Sequence, residues 1–366
     1  MSRAAISTRT VRGVTRTRPA RYPPVAAERV LTLRELNRST LERQLLLQRK
    51  RLSPRAVIER LVGIQAQWPP APYLGIWTRT TSFRKDALAR ELRAGRVVKA
   101  TMMRATLHLV TPHDYGLIRA AMSERNFPWE TSQAKLLAPS VRALADGGPV
   151  RDVDALELLE REQGLTGITA RRAWQAARMR AHLVHHYETA LWGGRPESVF
   201  VALAEPELHD PTEARAEMLR RYLAAFGPAS RRDISAWSMM RVPEIQRALD
   251  RLDLRRFRDE LGHELFDVPR APLPDPGKPA PVRFLPKWDN VLLAFADRTR
   301  VLPEGYRKRV IGMNGDVAQT FLVDGFVAGT WRADGGRVVP EPFAVLARVT
   351  RRAVEAEAER LESFLA

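Results

Sequence analysis

The chain contains no cysteine, which excludes disulfide scaffolds, thiolate zinc sites and cysteine nucleophiles. It has no run of 18 or more apolar residues and no secretory-type apolar core near its start, so neither a membrane span nor an export signal is expected. A reducing cytoplasm, close to the nucleoid, is the expected setting. No segment joins a strong apolar face to a basic one, which argues against a membrane surface. RRM, KH and aromatic stacking motifs are missing, which argues against RNA. The glycine pairs Gly193-Gly194 and Gly335-Gly336 lack the following Lys and Ser or Thr of a phosphate loop, and they read as turns.

Acidic residues are also in short supply: 42 Asp and Glu stand against 60 Lys and Arg, a formal net charge of +18. Such a balance favours a polyanionic partner. Most of the cations are arginine, whose planar fork binds phosphate and guanine edges bidentately. Genome base composition accounts for a choice of arginine over lysine but not for an excess of cations over anions. With 366 residues, 45% of them hydrophobic, the chain can bury substantial cores in two to four domains. A monomer that binds duplex DNA without a cofactor is the expectation from composition and pattern.

Residues 1–28 carry Arg3, Arg9, Arg12, Arg16, Arg18 and Arg21 without an acid until Glu28, and they read as a disordered basic arm. Leucines at 33, 36, 41 and 45 then mark a helix. Ser53 with Pro54 caps a second, expected to run through SPRAVIERLVGIQAQ to the prolines at 69 and 70. DALARELRAG is an amphipathic helix ended by Gly95, and VVKATMMRATLHLVT is β-prone. Helices followed by a hairpin make a winged helix. The same order returns in 136–215 and again in 216–272, where Gly227 ends one helix, Ser230 caps the next and Val242-Pro243 leads into a basic third. After the proline-rich stretch 269–281, residues 273–366 become strand-rich. Asp324-Gly325 and Asp334-Gly335 give hairpin signals, and a final helix closes the segment. The fold class is therefore mainly α with β (α+β), with a first winged helix at 29–135.

The most distinctive segment is LVGIQAQWPP, where Gln65 and Gln67 sit two residues apart beside Trp68. Two amides aimed into a cleft can hold a water or read a base edge; the bland alternative is a pair of solvated helix-end glutamines. LNRSTLERQLLL, GIQAQ, RATLHLVTPHDY, AFGPASRRDISAWS, FLPKWDNVLLAFADRTRVL and TFLVDGFVAGTW, in this order and spacing, make the chain resemble the bacterial winged-helix DNA glycosylases of the AlkZ and YcaQ type. The basic arm lies outside the resemblance. It implies three tandem winged helices in a C shape plus a C-terminal β-barrel-like module. It also implies hydrolysis of the N-glycosidic bond of alkylated purines in double-stranded DNA. The catalytic QxQ motif falls on Gln65 and Gln67; the YcaQ branch carries an acid or asparagine at the second position, so this chain is closer to AlkZ. A β-hairpin that probes the groove, rather than obligatory base flipping, is the implied approach to bulky or cross-linked adducts.

Such mild residues suit the chemistry, because alkylation at N7 or N3 makes the purine a cationic leaving group and leaves the enzyme to position a water. Asp289 is a further catalytic candidate as an electrostatic partner of the oxocarbenium ion; its competing reading, preferred here, is a turn-capping Asx. His108 either orients a glutamine or contacts phosphate, or it is a hydrogen-bonded strand histidine, the preferred reading. Arg104, expected in the same strand, is either a phosphate contact or a solvated wing residue. Candidate DNA contacts also include Trp68, Arg90, Arg93, Arg231, Arg232 and Arg247. His182, His185 and His186 are read as lying along a helix, but no H-E-x-x-H pattern accompanies them and no metal is expected. The rival class is a non-catalytic winged-helix protein, a regulator or lesion shield. A regulator would need a dimer matched to a palindrome, whereas this chain repeats its unit internally.

Overall fold

The molecule is described from a computed structural model, which covers residues 27–122, 131–194, 198–204, 207 and 209–366. All of the expected basic arm except Ala27 and Glu28 lies outside the described residues. The first segment begins with β1 (Val30–Leu31) and α1 (Leu33–Arg43). The Thr32 hydroxyl accepts the Glu35 backbone N–H, and the Thr32 backbone N–H donates to the Glu35 carboxylate, a reciprocal cap that starts α1. Ser53 and Pro54 start α2 (Pro54–Arg60) as expected.

That helix does not run on through the glutamines. It stops at Arg60, and Val62 (φ 55°) and Gly63 (φ 91°) reverse the chain into a short strand, β2 (Ile64–Gln65). The left-handed backbone at Gly63 suits glycine, and a Cβ there would meet Val110 Cγ1 at 3.0 Å. After β2 come α3 (Pro70–Trp77), α4 (Lys85–Arg93), β3 (Val98–Thr101), β4 (Leu107–Val110) and α5 (Pro112–Ala121). The next stretch holds α6 (Ser132–Asp146), β5 (Val150–Arg151), α7 (Asp152–Gln163), α8 (Gly167–Arg180), β6 (Leu183–His185) and β7 (Val199–Ala202). These strands form one six-stranded sheet, in the order β2-β4-β3-β6-β7-β5. The sheet crosses the expected boundary at 135, joined where Lys99 of β3 faces His185 of β6.

A third set of helices, α9 (Pro211–Phe226), α10 (Arg231–Ser238) and α11 (Val242–Leu249), is followed by the hairpin β8 (Arg255–Asp259) and β9 (Glu264–Asp267). Gly227 and Ser230 act at the boundaries where the sequence placed them. Strand β1 pairs in parallel with β8, so the beginning of the described chain joins this hairpin. Tyr222, Phe226 and Trp237 stack in a core that also takes in Phe295 and residues of α5.

The last segment comprises β10 (Arg283–Leu285), α12 (Asn290–Leu293), α13 (Arg307–Val310), β11 (Thr320–Val323), β12 (Phe326–Asp334), β13 (Arg337–Pro342) and α14 (Arg348–Leu365). Both predicted hairpins form, at 324–325 and 334–337. The four strands make a meander in the order β10-β11-β12-β13, with β10 and β13 as edges rather than a closed barrel. Helix α14 covers one face, packing Val354, Ala358 and Leu361 against Phe284, Phe321 and Trp331. Ion pairs tie the segments together: Arg43 of α1 holds Asp267 at 2.6 Å with both side chains buried, and the buried Arg38 holds the half-exposed Asp324. No helix among the described residues is long and apolar enough to cross a membrane.

Candidate active site

Strand β2 lies against β4 with Gln65 opposite His108 and Ile64 opposite Leu109. The pairing continues past the strand, since the Ala66 N–H donates to the Leu107 carbonyl at 2.7 Å. Gln65 is buried, 4% exposed, while Gln67 is exposed. Gln65 therefore ends strand β2 and Gln67 lies in the bend just after it, not at the end of a helix, a correction to the sequence expectation.

The turn between β3 and β4 supplies the partners. Arg104 and Ala105 both adopt left-handed backbone, φ 57° and 54°, an arrangement held by the Met102 N–H to Thr106 carbonyl bond of 2.9 Å. Arg104 thus lies in the turn, not in the strand with His108. Its Nη2 donates to Gln65 Oε1 at 3.0 Å and reaches His108 Nε2 at 3.4 Å, while Nη1 donates to the Trp237 carbonyl at 3.3 Å. The Leu107 N–H donates to Gln67 Oε1 at 3.0 Å. A guanidinium and a backbone amide can only donate, so each glutamine must present Oε1 to its partner and turn its NH2 group away. Both amide orientations are set by the network.

His108 is buried, with Nδ1 at 3.0 Å from the Thr106 carbonyl. A carbonyl only accepts, so Nδ1 carries the hydrogen and Nε2 offers its lone pair to Arg104. Burial, then the Arg104 charge, pushes the His108 pKa down to about 3, so the ring stays neutral. Burial likewise lowers Arg104 to about 10, helped by repulsion from Arg298.

A second element pins the glutamine edge. Asn290 donates from Nδ2 to the Gly63 carbonyl at 2.7 Å, and its Oδ1 accepts the Gln65 backbone N–H at 3.5 Å. Its neighbour Asp289 is buried, accepts the Val291 N–H at 3.1 Å and caps α12. Both Asp289 oxygens are bound by Arg79, at 2.7 and 2.8 Å. A carboxylate so committed is not free to face a sugar, and the electrostatic role considered for Asp289 gives way to a structural one.

The other candidates disperse. Trp68 is half-buried and packs against the α14 cluster. Arg90 pairs with Asp86 at 2.5 Å on the exposed face of α4, and Arg93 is exposed beside it. Arg231 is corrected as a DNA contact: it bonds Gln246 at 2.5 Å and Glu264 at 2.6 Å and lies over the Phe266 ring. Arg232 and Arg247 are exposed. His182 follows α8 in left-handed backbone and His185 is in β6, so the expected helical row of histidines does not exist. A cavity of 560 Å³ lies away from the glutamines, among α1, α10 and the β8–β9 hairpin, with Asp233, Glu260 and Glu264 on its walls beside Arg231 and Arg232. Such mixed charge does not suit a phosphate backbone. Arg79 escaped the sequence reading; Asn290 lies in WDN, one of the segments carrying the resemblance, but its clamp on Gly63 and Gln65 needed the fold.

A family model described as "DNA glycosylase AlkZ-like" matches residues 58–364. A curated relative from Streptomyces sahachiroi, the "Interstrand DNA cross-link repair glycosylase", is 25% identical, over 87% of this chain and 92% of the relative. The solved structure of Streptomyces sahachiroi DNA glycosylase AlkZ superposes with a TM-score of 0.75 at 21% identity, covering 92% of this chain and 97% of that one, and so shares its fold. On the breadth of the family match, the chain belongs to the AlkZ-like DNA glycosylase family and is a DNA glycosylase.

Proposed function

We propose that the enzyme is monofunctional and hydrolyses the N-glycosidic bond of N7- or N3-alkylated purines in double-stranded DNA, with Gln65 and Gln67 ordering the attacking water. The observation that carries this reading is the pair of amides beside the β3–β4 turn, each fixed by a partner that can only donate. Each Oε1 keeps one lone pair and each NH2 remains turned away from those partners, so together they can accept from and donate to one water. Alkylation gives the purine its positive charge and makes it a good leaving group. The protein then has to place the water beneath C1′ and favour the developing oxocarbenium ion, a task of orientation rather than acid strength.

Cross-linked duplex is included among the substrates, on the strength of the relative whose name is that of an interstrand cross-link repair glycosylase. The three helix-and-hairpin segments are read as winged helices at 29–135, 136–215 and 216–272 arranged in a C, with the open meander of 273–366 as a fourth module. A cytoplasmic monomer that uses no metal completes the proposal. Incubation with duplex carrying N7-methylguanine tests it: release should exceed the spontaneous rate and fall about 100-fold in Gln65→Ala and in Gln67→Ala, the scale of losing one oriented polar group. Equal release by the variants would remove the assigned mechanism.

A further inference from the structure

Two histidines stand beside a single acid: His263 Nδ1 lies 2.8 Å from Asp259 Oδ2, and His186 Nδ1 lies 3.8 Å from Glu188 Oε2. Elsewhere three side chains converge. His113, the second residue of α5, turns Nδ1 to Glu207 Oε2 at 3.3 Å, and His209 turns Nε2 to the same oxygen at 3.9 Å. The two rings stand edge to face with centroids 5.6 Å apart. One ligand atom from each of the three lies within 4.8 Å of the other two, and among the described residues no other group of His, Asp and Glu gathers in this way. A hydrogen bond accounts for His113 with Glu207 but not for the third member. At 3.9 Å the His209 Nε2 is beyond hydrogen-bond reach of the carboxylate, and it is closed off from solvent.

A metal ion accounts for all three. Tetrahedral zinc, at about 2.1 Å from each ligand, spaces its ligand atoms about 3.4 Å apart, close to the separation of His113 from Glu207, and His209 reaches that spacing by closing in about half an ångström. Two imidazoles and a carboxylate suit zinc, whereas magnesium and calcium take oxygen ligands. In a chain without cysteine, a zinc site must be of this nitrogen-and-oxygen kind. We propose that His113, Glu207 and His209 bind one zinc ion, with water in the fourth position. His209 immediately precedes Asp210, the cap of α9, so the ion fastens the approach to α9 onto the start of α5. Arg221 of α9 already grips Asp114 of α5, and the metal closes the same seam from its other end. The role is structural: Thr111, the cap of α5, follows directly on β4, the strand of His108, so zinc steadies an element beside the glutamines without entering excision.

The full chain, stripped with a chelator and exchanged into clean buffer, is titrated with Zn2+ by calorimetry and with Co2+ as a coloured reporter of geometry. One ion per chain should bind, the cobalt complex should show the intense visible bands of four-coordination, and excess Mg2+ should displace neither. His113→Ala and His209→Ala should each weaken zinc binding by more than about 100-fold, and Glu207→Gln by about 10-fold or more. His263→Ala, which removes an ordinary pair, should bind as wild type does. At about 100 times its Kd, zinc should raise the melting temperature of wild type by several degrees, and that of His209→Ala by none. His113 and Glu207 are exposed, so their variants keep the fold and remain informative even if His209→Ala does not. No binding, binding of equal strength in His113→Ala and Glu207→Gln, or the weak bands of six-coordinate cobalt overturns the proposal. Release of N7-methylguanine should be the same with and without zinc, and a rate that follows the metal overturns the structural role.

Discussion

Arg79 and Asp289 meet as a fully enclosed, two-pronged ion pair, 1% and 2% exposed, with both oxygens bound at 2.7 and 2.8 Å. The pair joins the end of α3 to the cap of α12, and the next residue, Asn290, holds the glutamine edge. Removing one partner leaves a buried charge uncompensated, so Asp289→Asn should cost about 3–5 kcal/mol in chemical denaturation. Replacing both by apolar residues of similar size should cost less than either single change. A variant that keeps wild-type stability while losing excision would restore a direct catalytic role to Asp289.

Arg104 fixes the Gln65 amide, so Arg104→Met should free it to rotate and lower the single-turnover excision rate by about 10- to 100-fold, in the range misplacement of a reacting group produces. Gln67, held by the Leu107 backbone, should keep its place, and a crystal structure of the variant would show only Gln65 reoriented.

Gly63→Ala tests the turn that replaces the expected helix. A positive φ and a Cβ at 3.0 Å from Val110 Cγ1 should together cost about 1–3 kcal/mol, read as a lowered denaturation midpoint. Excision should fall with it, because β2 is the next element.

Acid should weaken the fold through its buried histidines. Burial is the main cause holding His108 at about 3 and His182 at about 4, against an ordinary 6.5. Between 6.5 and those values the unfolded chain binds protons that the folded chain does not, so stability rises with pH and is lost as pH falls. His108 alone contributes up to about 1.4 kcal/mol per pH unit across that window. Denaturation midpoints at pH 7 and pH 5 should differ less in His108→Asn than in wild type; an equal difference would remove His108 from the account.

The surface arginines separate by what they already hold. Arg232→Ala and Arg247→Ala should each reduce the salt dependence of duplex binding by about one unit of slope. Arg231→Ala should leave that slope alone and lower stability instead, since its guanidinium is bonded to Gln246 and Glu264. Anisotropy titrations across a salt series distinguish the two.

What the sequence showed plainly was local. Ser53 with Pro54, Ser230, Gly227 and the two Asp-Gly turns act within a few residues, and each lies where its chemistry put it. The glutamines stand out in the sequence as a pair, but their setting does not: β2 has two residues, and it exists because β4 and Asn290, the latter 225 residues away, hold it. Hydrophobic period alone continues α2 straight through it. Arg104 was placed in a strand because nothing in MMRAT signals two successive non-glycine residues in left-handed backbone. Arg231 looked like any helix-surface arginine until Glu264, from the following hairpin, claimed it. The misses over β2 and Arg231 trace to partners remote in the chain.

The pairing of β1 with β8, and of Arg43 with Asp267 across 224 residues, has a temporal side. On a ribosome adding about 5–20 residues per second, α1 emerges roughly ten to forty seconds before the acid that will neutralise its arginine. During that wait Leu31 and Leu36, later covered by the β8–β9 hairpin, stay open to water and to neighbouring nascent chains. Assembly of this molecule therefore ends by drawing its early residues back over its late ones.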